Sequence, residues 1–177
     1  MIIAKYGITL ERLSLDDLEL VRNWRNADHV RLNMKFQHLI STEMQLNWFS
    51  NLDINCNYYF IIKDKAKKIG IVNLKEIDWL LNEAEAGIFI GELDYLNTVF
   101  PMLATICIME FAFDELKINT LKAKIASNNV KVILFNESIG YKKCEEQNDI
   151  NFHYYSTNSD LFKSAIKNIR NTLDKLN

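Results

Sequence analysis

The sequence has few of the residues that interrupt or cross-link a chain: one proline, five glycines and three cysteines among 177 residues. So few breakers leave no Gly/Pro/Ser-rich linker, and residues 1–177 are therefore predicted to form a single domain. The cysteines, Cys56, Cys107 and Cys144, lie far apart. Their number and spacing argue against a disulfide framework or a zinc motif, so we expect no metal site and free thiols in a reducing compartment.

The sequence also lacks a positively charged cluster and a long hydrophobic run. Lys and Arg number 21 against 23 Asp and Glu, and the two signs are interspersed, which argues against nucleic acid as a partner. No apolar stretch reaches the roughly 20 residues of a membrane span, and the N-terminus turns polar too soon for a signal peptide. We therefore expect a cytoplasmic protein without a membrane partner.

The hydrophobic pattern predicts strands and helices in the order β-α-α-β-β-β-α-β-α-β-β-α. A strand meander followed by alternating elements indicates an α/β fold with a mixed sheet and helices on both faces. Strands are predicted at 8–13, 58–63, 69–77, 84–90, 120–126, 141–144 and 152–155. Helices are predicted from Ser14, from Ser41, and at 101–116, 130–138 and 160–176.

Single residues at several positions support these predicted elements. Pro101 suits the first turn of the longest helix, and Gly140 suits the end of the next one. Gly87 lies inside a predicted strand, which is typical of a bulge or of a close backbone approach. The last helix carries an apolar stripe, which faces either the core or a second copy in a homodimer. Its members are Leu161, Ala165, Ile169 and Leu173.

Three segments, together with this order of elements, carry a family resemblance. Segment 128–141 places an Asn, a helix and a Gly-aromatic pair at fixed offsets, and segment 83–92 contains the central strand. Segment 24–49 begins with Trp24-Arg25-Asn26. These features resemble the GNAT acyltransferase superfamily over nearly the whole chain. The resemblance implies a central mixed, splayed sheet of six to seven strands with an extra C-terminal helix, and an enzyme that uses acetyl-CoA or another acyl-CoA.

The resemblance also implies a cofactor site between the central strand and the longest helix. Family members hold the coenzyme A pyrophosphate on a glycine-rich loop, but here the expected glycine positions hold Asn97, Val99 and Pro101. Two outcomes follow: the remaining backbone N–H groups still bind pyrophosphate, or the domain has lost its cofactor. The implied cofactor-binding residues are Phe89, Ile90, Asn97, Thr98, Val99, Phe100, Met102, Asn129 and Asn136.

Acyl transfer to an amine needs a group that accepts the proton of the amine. Glu85 is the first candidate, because it precedes Gly87 on the strand expected to line the thioester; the alternative is a half-exposed strand carboxylate. Asp28 is the second candidate, in the loop after the first helix. His38 and His153 are expected to be structural or exposed.

The resemblance further implies an acid that protonates the leaving thiolate. Many family members carry a tyrosine for this step on the helix after the Asn, but the matching position here is Asn136, which has no useful pKa. Tyr141 and Tyr95 are the other candidates. Solvent is an alternative proton source, because a thiolate has a pKa near neutrality.

The segment that begins with Trp24-Arg25-Asn26 resembles GNAT enzymes that acylate nucleotide-linked deoxysugars, such as the enzyme of the pseudaminic acid pathway. A broader resemblance is to enzymes that acetylate ribosomal-protein N-termini. The first implies a dTDP- or UDP-linked amino-dideoxysugar as acceptor and a role in surface glycan biosynthesis. A third hypothesis is that the chain is a non-catalytic domain that binds a ligand or a partner. The predicted acceptor-binding residues are Arg25, Asn26, His29, Met34, Phe36 and Trp48.

Overall fold

The computed structural model describes residues 1–145, 149–173 and 175. Its strands form one sheet in the order β1-β2-β3-β4-β5-β6-β8-β7, and only β5 and β6 run parallel. The mixed α/β sheet predicted from the sequence is confirmed. The strands are β1 (Ile2–Lys5), β2 (Ile8–Arg12), β3 (Tyr58–Asp64), β4 (Lys67–Asp78), β5 (Glu83–Ile90), β6 (Thr120–Ala126), β7 (Lys142–Lys143) and β8 (Phe152–Thr157).

Helices cover both faces of the sheet. Alternate residues of a strand point to opposite faces, and Ile61 and Ile71 pack with α1 whereas their neighbours Phe60 and Val72 pack in the core that contains α4. Within the described residues, no helix has the length and apolarity that a bilayer span requires. The helices are α1 (Leu18–Asn26), α2 (Asp28–Arg31), α3 (Thr42–Ser50), α4 (Phe100–Glu110), α5 (Val130–Ser138), α6 (Ser159–Ala165) and α7 (Lys167–Leu173).

The first strand is absent from the prediction. Ile2–Lys5 pairs with Ile8–Arg12 through a two-residue turn at Tyr6 and Gly7, whose φ angles are 57° and 75°. Two positive φ angles are typical of the tight hairpin turn, which matches the twist of the paired strands. A four-residue strand next to a tyrosine in the left-handed region gives too little periodicity to be found from the sequence.

The predicted C-terminal helix is two helices. The chain breaks at Ile166, between α6 and α7, so the single helix at 160–176 is wrong; positions 174 and 176 of that prediction lie outside the described residues. Phe162, Ile166 and Leu173 are buried in the main core, whereas Ala165 is exposed. The apolar stripe therefore begins with Phe162 and Ile166 in place of the predicted Leu161 and Ala165, and it faces the core.

A buried carboxylate joins three parts of the fold. Glu110, at the end of α4, is 4% exposed. It accepts hydrogen bonds from the Tyr6 hydroxyl at 2.8 Å and from Lys5 Nζ at 2.6 Å, and it is also paired with Arg170 of α7. The first hairpin, the longest helix and the C-terminal helix thus meet at one charged centre.

The parallel strands β5 and β6 separate soon after they begin. Their backbones pair only from Glu83 to Glu85, opposite Thr120 to Lys122, and from there on the two strands diverge. The only irregularity between β4 and β5 lies at Lys75 and Asp78. Gly87 is therefore not a bulge, and the splay predicted from the family resemblance lies on the β6 side of β5.

Candidate active site

The splay leaves one edge of β5 without a strand partner. In an antiparallel ladder, the backbone N–H and C=O of every second residue point to the same neighbouring strand. The Gly91 N–H bonds Ile69 O of β4 at 2.9 Å, so the backbone groups of Phe89 also point to β4. Those of Ile88 and Ile90 point into the gap between β5 and β6.

This alternation corrects one predicted cofactor residue and adds another. The N–H of Phe89 is used in the β4 ladder and cannot polarise a thioester carbonyl, although Ile90 remains available as predicted. Ile88 was not predicted, because the direction of each N–H depends on the register with β4, which the sequence does not reveal. A ligand with amide groups can add to this edge as an extra strand does.

The loop before α4 offers free donors without glycine. Within the described part of the chain, the backbone N–H groups of Asn97, Val99 and Met102 have no hydrogen-bond partner. The Phe100 N–H instead donates to Thr98 Oγ1 at 3.4 Å, and the Thr98 hydroxyl donates to Tyr95 O at 2.8 Å. Three of the five predicted loop residues thus keep the donors that an anion at a helix N-terminus requires.

A lysine at the start of β4 lies beside this loop and is paired with a carboxylate. Lys67 Nζ lies 5.0 Å from the centre of the Tyr95 ring and 3.5 Å from Glu92 Oε2. The Tyr95 hydroxyl donates to Asp64 Oδ2 at 3.0 Å, and this bond raises the pKa of Tyr95. Its engagement with Asp64 makes Tyr95 a poor candidate for the acid. Free N–H groups on the strand edge and on the loop fit a coenzyme A thioester.

The two asparagines of the β6–α5 region have different partners. The Asn129 side chain caps α5 by accepting from the Val132 N–H at 3.3 Å, and its Nδ2 donates to Asn33 Oδ1 at 3.4 Å, in the turn after α2. The Asn136 amide donates to Val132 O at 2.8 Å, within its own helix. Asn129 therefore joins the start of α5 to the turn after α2, while the amide group of Asn136 is engaged by the helix backbone.

A second, more aromatic surface lies on the face of the sheet covered by α1. Arg25 projects from α1, and its Cζ lies 6.0 Å from the centre of the Phe89 ring. The Nη1 atom of Arg25 is buried without a hydrogen-bond partner, and burial lowers the pKa of this guanidinium. A buried guanidinium nitrogen without a hydrogen-bond partner is costly, so this surface favours a ligand with negative charge.

Asn73 of β4 lies on the same face. It is 9% exposed, and its Oδ1 is buried without a partner. Asn73 pairs across the strands with Gly87 of β5 and with Tyr59 of β3. A Cβ at Gly87 would lie 3.1 Å from Asn73 Oδ1. The glycine thus leaves a niche above the amide, which is the close approach that a glycine within a strand indicates.

The candidate base Glu85 sits at the point where β5 and β6 part. It pairs with Lys122 of β6 along the backbone, and its Oε1 lies 2.7 Å from Lys75 Nζ. Gly87 and Glu85 are two residues apart and so share a face. Glu85 thus remains the candidate base, with one oxygen engaged by an ammonium group.

The other two predicted catalytic residues have contrasting environments. The Asp28 carboxylate is 77% exposed and pairs with Arg31 at 2.6 Å, which favours a helix-stabilising role. The Tyr141 ring is buried, and burial, with a smaller contribution from the Glu85 charge, raises the pKa of its hydroxyl. That hydroxyl has no hydrogen-bond partner in the described part of the chain, so Tyr141 remains a candidate proton donor.

The side chains of two predicted acceptor-binding residues, Asn26 and His29, form hydrogen bonds with the protein backbone. The Asn26 side chain donates to Ile40 O at 2.9 Å and accepts from Ile40 N at 2.8 Å, so its amide is not free for a ligand. His29 Nε2 donates to Gly91 O at 3.1 Å, at the end of β5. These contacts fix the loop after α2 and tie α2 to the strand that borders the gap.

Trp24 strengthens this connection. Its Nε1 donates to Glu92 Oε1 at 3.1 Å, and a Cβ at Gly91 would lie 2.1 Å from its ring. The end of β5 is therefore pressed directly against α1. Of the remaining predicted residues, Trp48 packs edge-on against Tyr59 with ring centres 5.0 Å apart. The ring centre of Phe36 lies 5.5 Å from that of His38, in the loop between α2 and α3.

Met34 and His153 also occupy defined positions. The Met34 backbone N–H donates to Arg31 O at 3.1 Å, in the turn after α2, and its side chain is half-buried. His153 lies on β8, with Nε2 3.4 Å from Lys143 Nζ. Among the residues described, no three His, Cys, Asp or Glu side chains form a group that could hold a metal ion.

The sequence matches a known family over most of its length. Residues 10–159 match the model of the acetyltransferase (GNAT) domain. The chain belongs to the GNAT acetyltransferase family, and it is an acyl-CoA-dependent N-acyltransferase. The family membership expected from segments 24–49, 83–92 and 128–141 is thereby confirmed.

Two relatives are both named acetyltransferase PseH. The protein of Campylobacter jejuni serotype O:2 is 28% identical over 144 residues, which cover 80% of this chain and 86% of the relative. That of serotype O:23/36 is 27% identical over 157 residues, which cover 88% of each. A spermidine N-acetyltransferase from Vibrio cholerae, solved with CoA and spermine, has the same fold: the TM-score is 0.77 at 18% identity, over 88% of this chain and 98% of that one.

Proposed function

We propose that the protein transfers an acyl group from an acyl-CoA to the amino group of a dTDP- or UDP-linked amino-dideoxysugar. The observation that carries this proposal is the buried Nη1 of Arg25, which has no partner on the protein. Such a group is costly unless a ligand pairs with it. A guanidinium fork binds phosphate with two parallel hydrogen bonds, and a nucleotide-linked sugar brings two phosphates next to the reacting amine.

The charge of Arg25 separates this acceptor from others. A polyamine such as the spermine bound by the Vibrio cholerae relative would bring positive charge next to an unpaired guanidinium. A protein N-terminus likewise presents an ammonium group and no compulsory anion. The two Campylobacter jejuni relatives are acetyltransferases by name. The choice of a sugar-linked amine is supported by the resemblance of the segment that begins with Trp24-Arg25-Asn26 to GNAT enzymes that acylate nucleotide-linked deoxysugars.

Aromatic side chains beside Arg25 support a nucleotide. Trp48 and Tyr59 meet edge to face, and Phe89 lies beneath the guanidinium. Base rings stack on such side chains with little dependence on the identity of the base. Burial raises the pKa of Tyr59 to about 12, so its hydroxyl stays protonated and can donate a hydrogen bond to an acceptor oxygen at neutral pH.

Direct transfer forms a C–N bond between the amine and the acyl carbon and breaks the C–S bond. The bound cofactor supplies an activated acyl group and a thiolate leaving group. The N–H of Ile88 or Ile90 donates to the acyl oxygen as negative charge develops there. Glu85 accepts the proton that the amine loses, directly or through water. The Tyr141 hydroxyl, or solvent, returns a proton to the departing sulfur.

Titration calorimetry and a thiol-release assay test this proposal together. We expect micromolar binding of coenzyme A, binding of dTDP or UDP, and thiol release from acetyl-CoA with the matching nucleotide-linked amino sugar. Spermine and an N-terminal peptide should release no thiol above background. Coenzyme A binding with turnover of spermine or the peptide would exclude the sugar acceptor. If neither coenzyme A nor acetyl-CoA binds at millimolar concentration, the proposed function is wrong.

A further inference from the structure

We infer that Asn73 binds the reacting amine of the acceptor, so that the acceptor site recognises an anion and an N–H donor at a fixed separation. This inference rests on the proposed function, since it concerns the same site. It assigns a role to a residue that no sequence motif indicates. Asn73 is one of three residues that carry a buried, unpartnered side-chain polar atom in the described part of the chain; the others are Arg25 and Arg31.

The burial of Asn73 makes its lack of a partner informative. The side chain is 9% exposed in the middle of the sheet, and neither Tyr59 nor Gly87, its partners on the adjacent strands, bonds to Oδ1. A buried amide without a partner costs about 1–3 kcal/mol. A residue that served only to fill this position would be apolar, as Ile71 is two residues earlier on the same face.

Gly87 gives a ligand access to the amide. Any side chain at this position would crowd Asn73, because a Cβ would lie 3.1 Å from Oδ1 and 3.4 Å from Nδ2. The niche lies beside Glu85, which is two residues before Gly87 on the same face. An amine that donates one N–H to Asn73 Oδ1 is thereby placed near the carboxylate that accepts its second proton.

The separation of Asn73 from Arg25 suits a sugar phosphate. Arg25 lies over Phe89, which is two residues beyond Gly87 on the same face of β5, and two residues of a strand extend about 7 Å. One hexose ring with an amine on one side and a phosphate on the anomeric carbon spans such a distance. The two unpartnered groups also have opposite polarity, since Arg25 donates and Asn73 Oδ1 accepts.

The test compares Asn73→Leu, which keeps the size but removes the amide, with Asn73→Asp, which keeps an acceptor oxygen. We expect Asn73→Leu to lower kcat/KM for the amino sugar by about 10- to 100-fold, the cost of one lost buried hydrogen bond. The Kd values for coenzyme A and for dTDP or UDP alone should stay within about twofold, since neither ligand contains the amine. Asn73→Asp should recover most of the lost rate.

The outcomes separate this inference from the proposed function. If the wild type acylates the nucleotide-linked sugar and Asn73→Leu does so equally well, the role of Asn73 is wrong and the proposed function stands. If the wild type acylates only spermine or a peptide, the proposed function fails, and the inference that rests on it fails too. A loss of coenzyme A binding in Asn73→Leu, with a lower melting temperature, would show a structural role and overturn the inference.

Discussion

At the scale of single residues, the proposed function assigns the choice of acceptor to the charge of Arg25. Arg25→Gln should weaken binding of dTDP or UDP by about 10- to 100-fold, because a hydrogen bond to a charged group contributes about 1.5–3 kcal/mol. Binding of coenzyme A should be unchanged. Titration calorimetry measures both constants. Arg22→Gln is the matched control, since Arg22 lies on the same helix and pairs with Glu19 at the surface; equal losses in the two variants would contradict the assignment.

Asp17 provides a residue-scale prediction about acid stability. Burial opposes ionisation of this carboxyl, but hydrogen bonds from Lys68 at 2.6 Å and from Ser14 outweigh it, so its pKa is lowered. A lowered folded-state pKa stabilises the protein above the unfolded pKa, and this contribution is lost as the pH falls through the folded value. The free energy of unfolding should therefore decrease as the pH drops below about 4.

Asp17→Asn should remove this acid dependence and cost about 1–3 kcal/mol at pH 7, because Lys68 and Ser14 lose a buried ionic partner. Urea unfolding at pH 7 and at a series of pH values below 5 measures both effects. Asp16→Asn is the control, since Asp16 is the exposed neighbour. An unchanged acid slope in Asp17→Asn would show that other carboxyls cause the dependence.

At the scale of elements, the β6–α5 junction combines a helix cap with a contact to the turn after α2. Asn129→Ala should cost about 1 kcal/mol of stability, the usual value of an N-cap, and Asn129→Asp should keep the cap while removing Nδ2. Thermal unfolding measures the cap. A rise in the KM for acetyl-CoA in both variants would indicate that Asn129 contacts the cofactor. A rise in Asn129→Ala alone would indicate that loss of the helix cap causes it. Asn128→Ala, an exposed neighbour, should change neither.

The connection of α1 to β5 is a second element-scale feature. Gly91→Ala would force the Trp24 indole to move, since the new Cβ would lie 2.1 Å from the ring. Overpacking of this kind costs about 1–3 kcal/mol, so the melting temperature should fall. Trp24→Phe in the Gly91→Ala background should recover part of the loss, because the smaller ring leaves room. A melting temperature like that of the wild type would mean that α1 is free to shift.

The elements themselves were largely predictable from the sequence, and the reasons are local. Periodic apolar residues marked β3 through β6, and the Asn–Gly spacing marked α5. The break at Ile166 left no local signal, because Phe162, Ile166, Ile169 and Leu173 keep a helical spacing across it. The four residues of β1 were too few to show a period.

The site was less predictable than the fold, because cross-strand neighbours determine it. Asn73 and Tyr59 enter the proposed site only through the pairing of β3, β4 and β5, which cannot be inferred from the spacing of residues in the sequence. The register likewise decides that Ile88 rather than Phe89 presents its N–H to the gap. Arg25 could be predicted because it lies within a segment that resembles the family. Asn26 lies in the same segment, but its side chain bonds the loop backbone at Ile40.

At the scale of the whole molecule, Glu110 connects parts that are remote in sequence. Lys5 and Tyr6 belong to the first hairpin and Arg170 to α7, so this carboxylate connects the hairpin at the edge of the sheet to the C-terminal helix. Burial and the Glu110 charge both raise the pKa of Tyr6. A network of this kind specifies how the termini dock on α4, which the apolar core alone does not fix.

Glu110→Ala should cost about 3–5 kcal/mol, because it leaves Lys5 and Arg170 beside a buried site without their shared counter-charge. For a chain of this size the melting temperature should fall by about 6–20 °C. Glu115→Ala, at an exposed acid in the π-helical segment that continues the same helix, should change it little. Hydrogen exchange then locates the loss: if Glu110 docks the termini, α7 and β1 should lose protection together while β3 to β5 keep theirs. Uniform loss across the sheet would instead mean that Glu110 stabilises α4 alone.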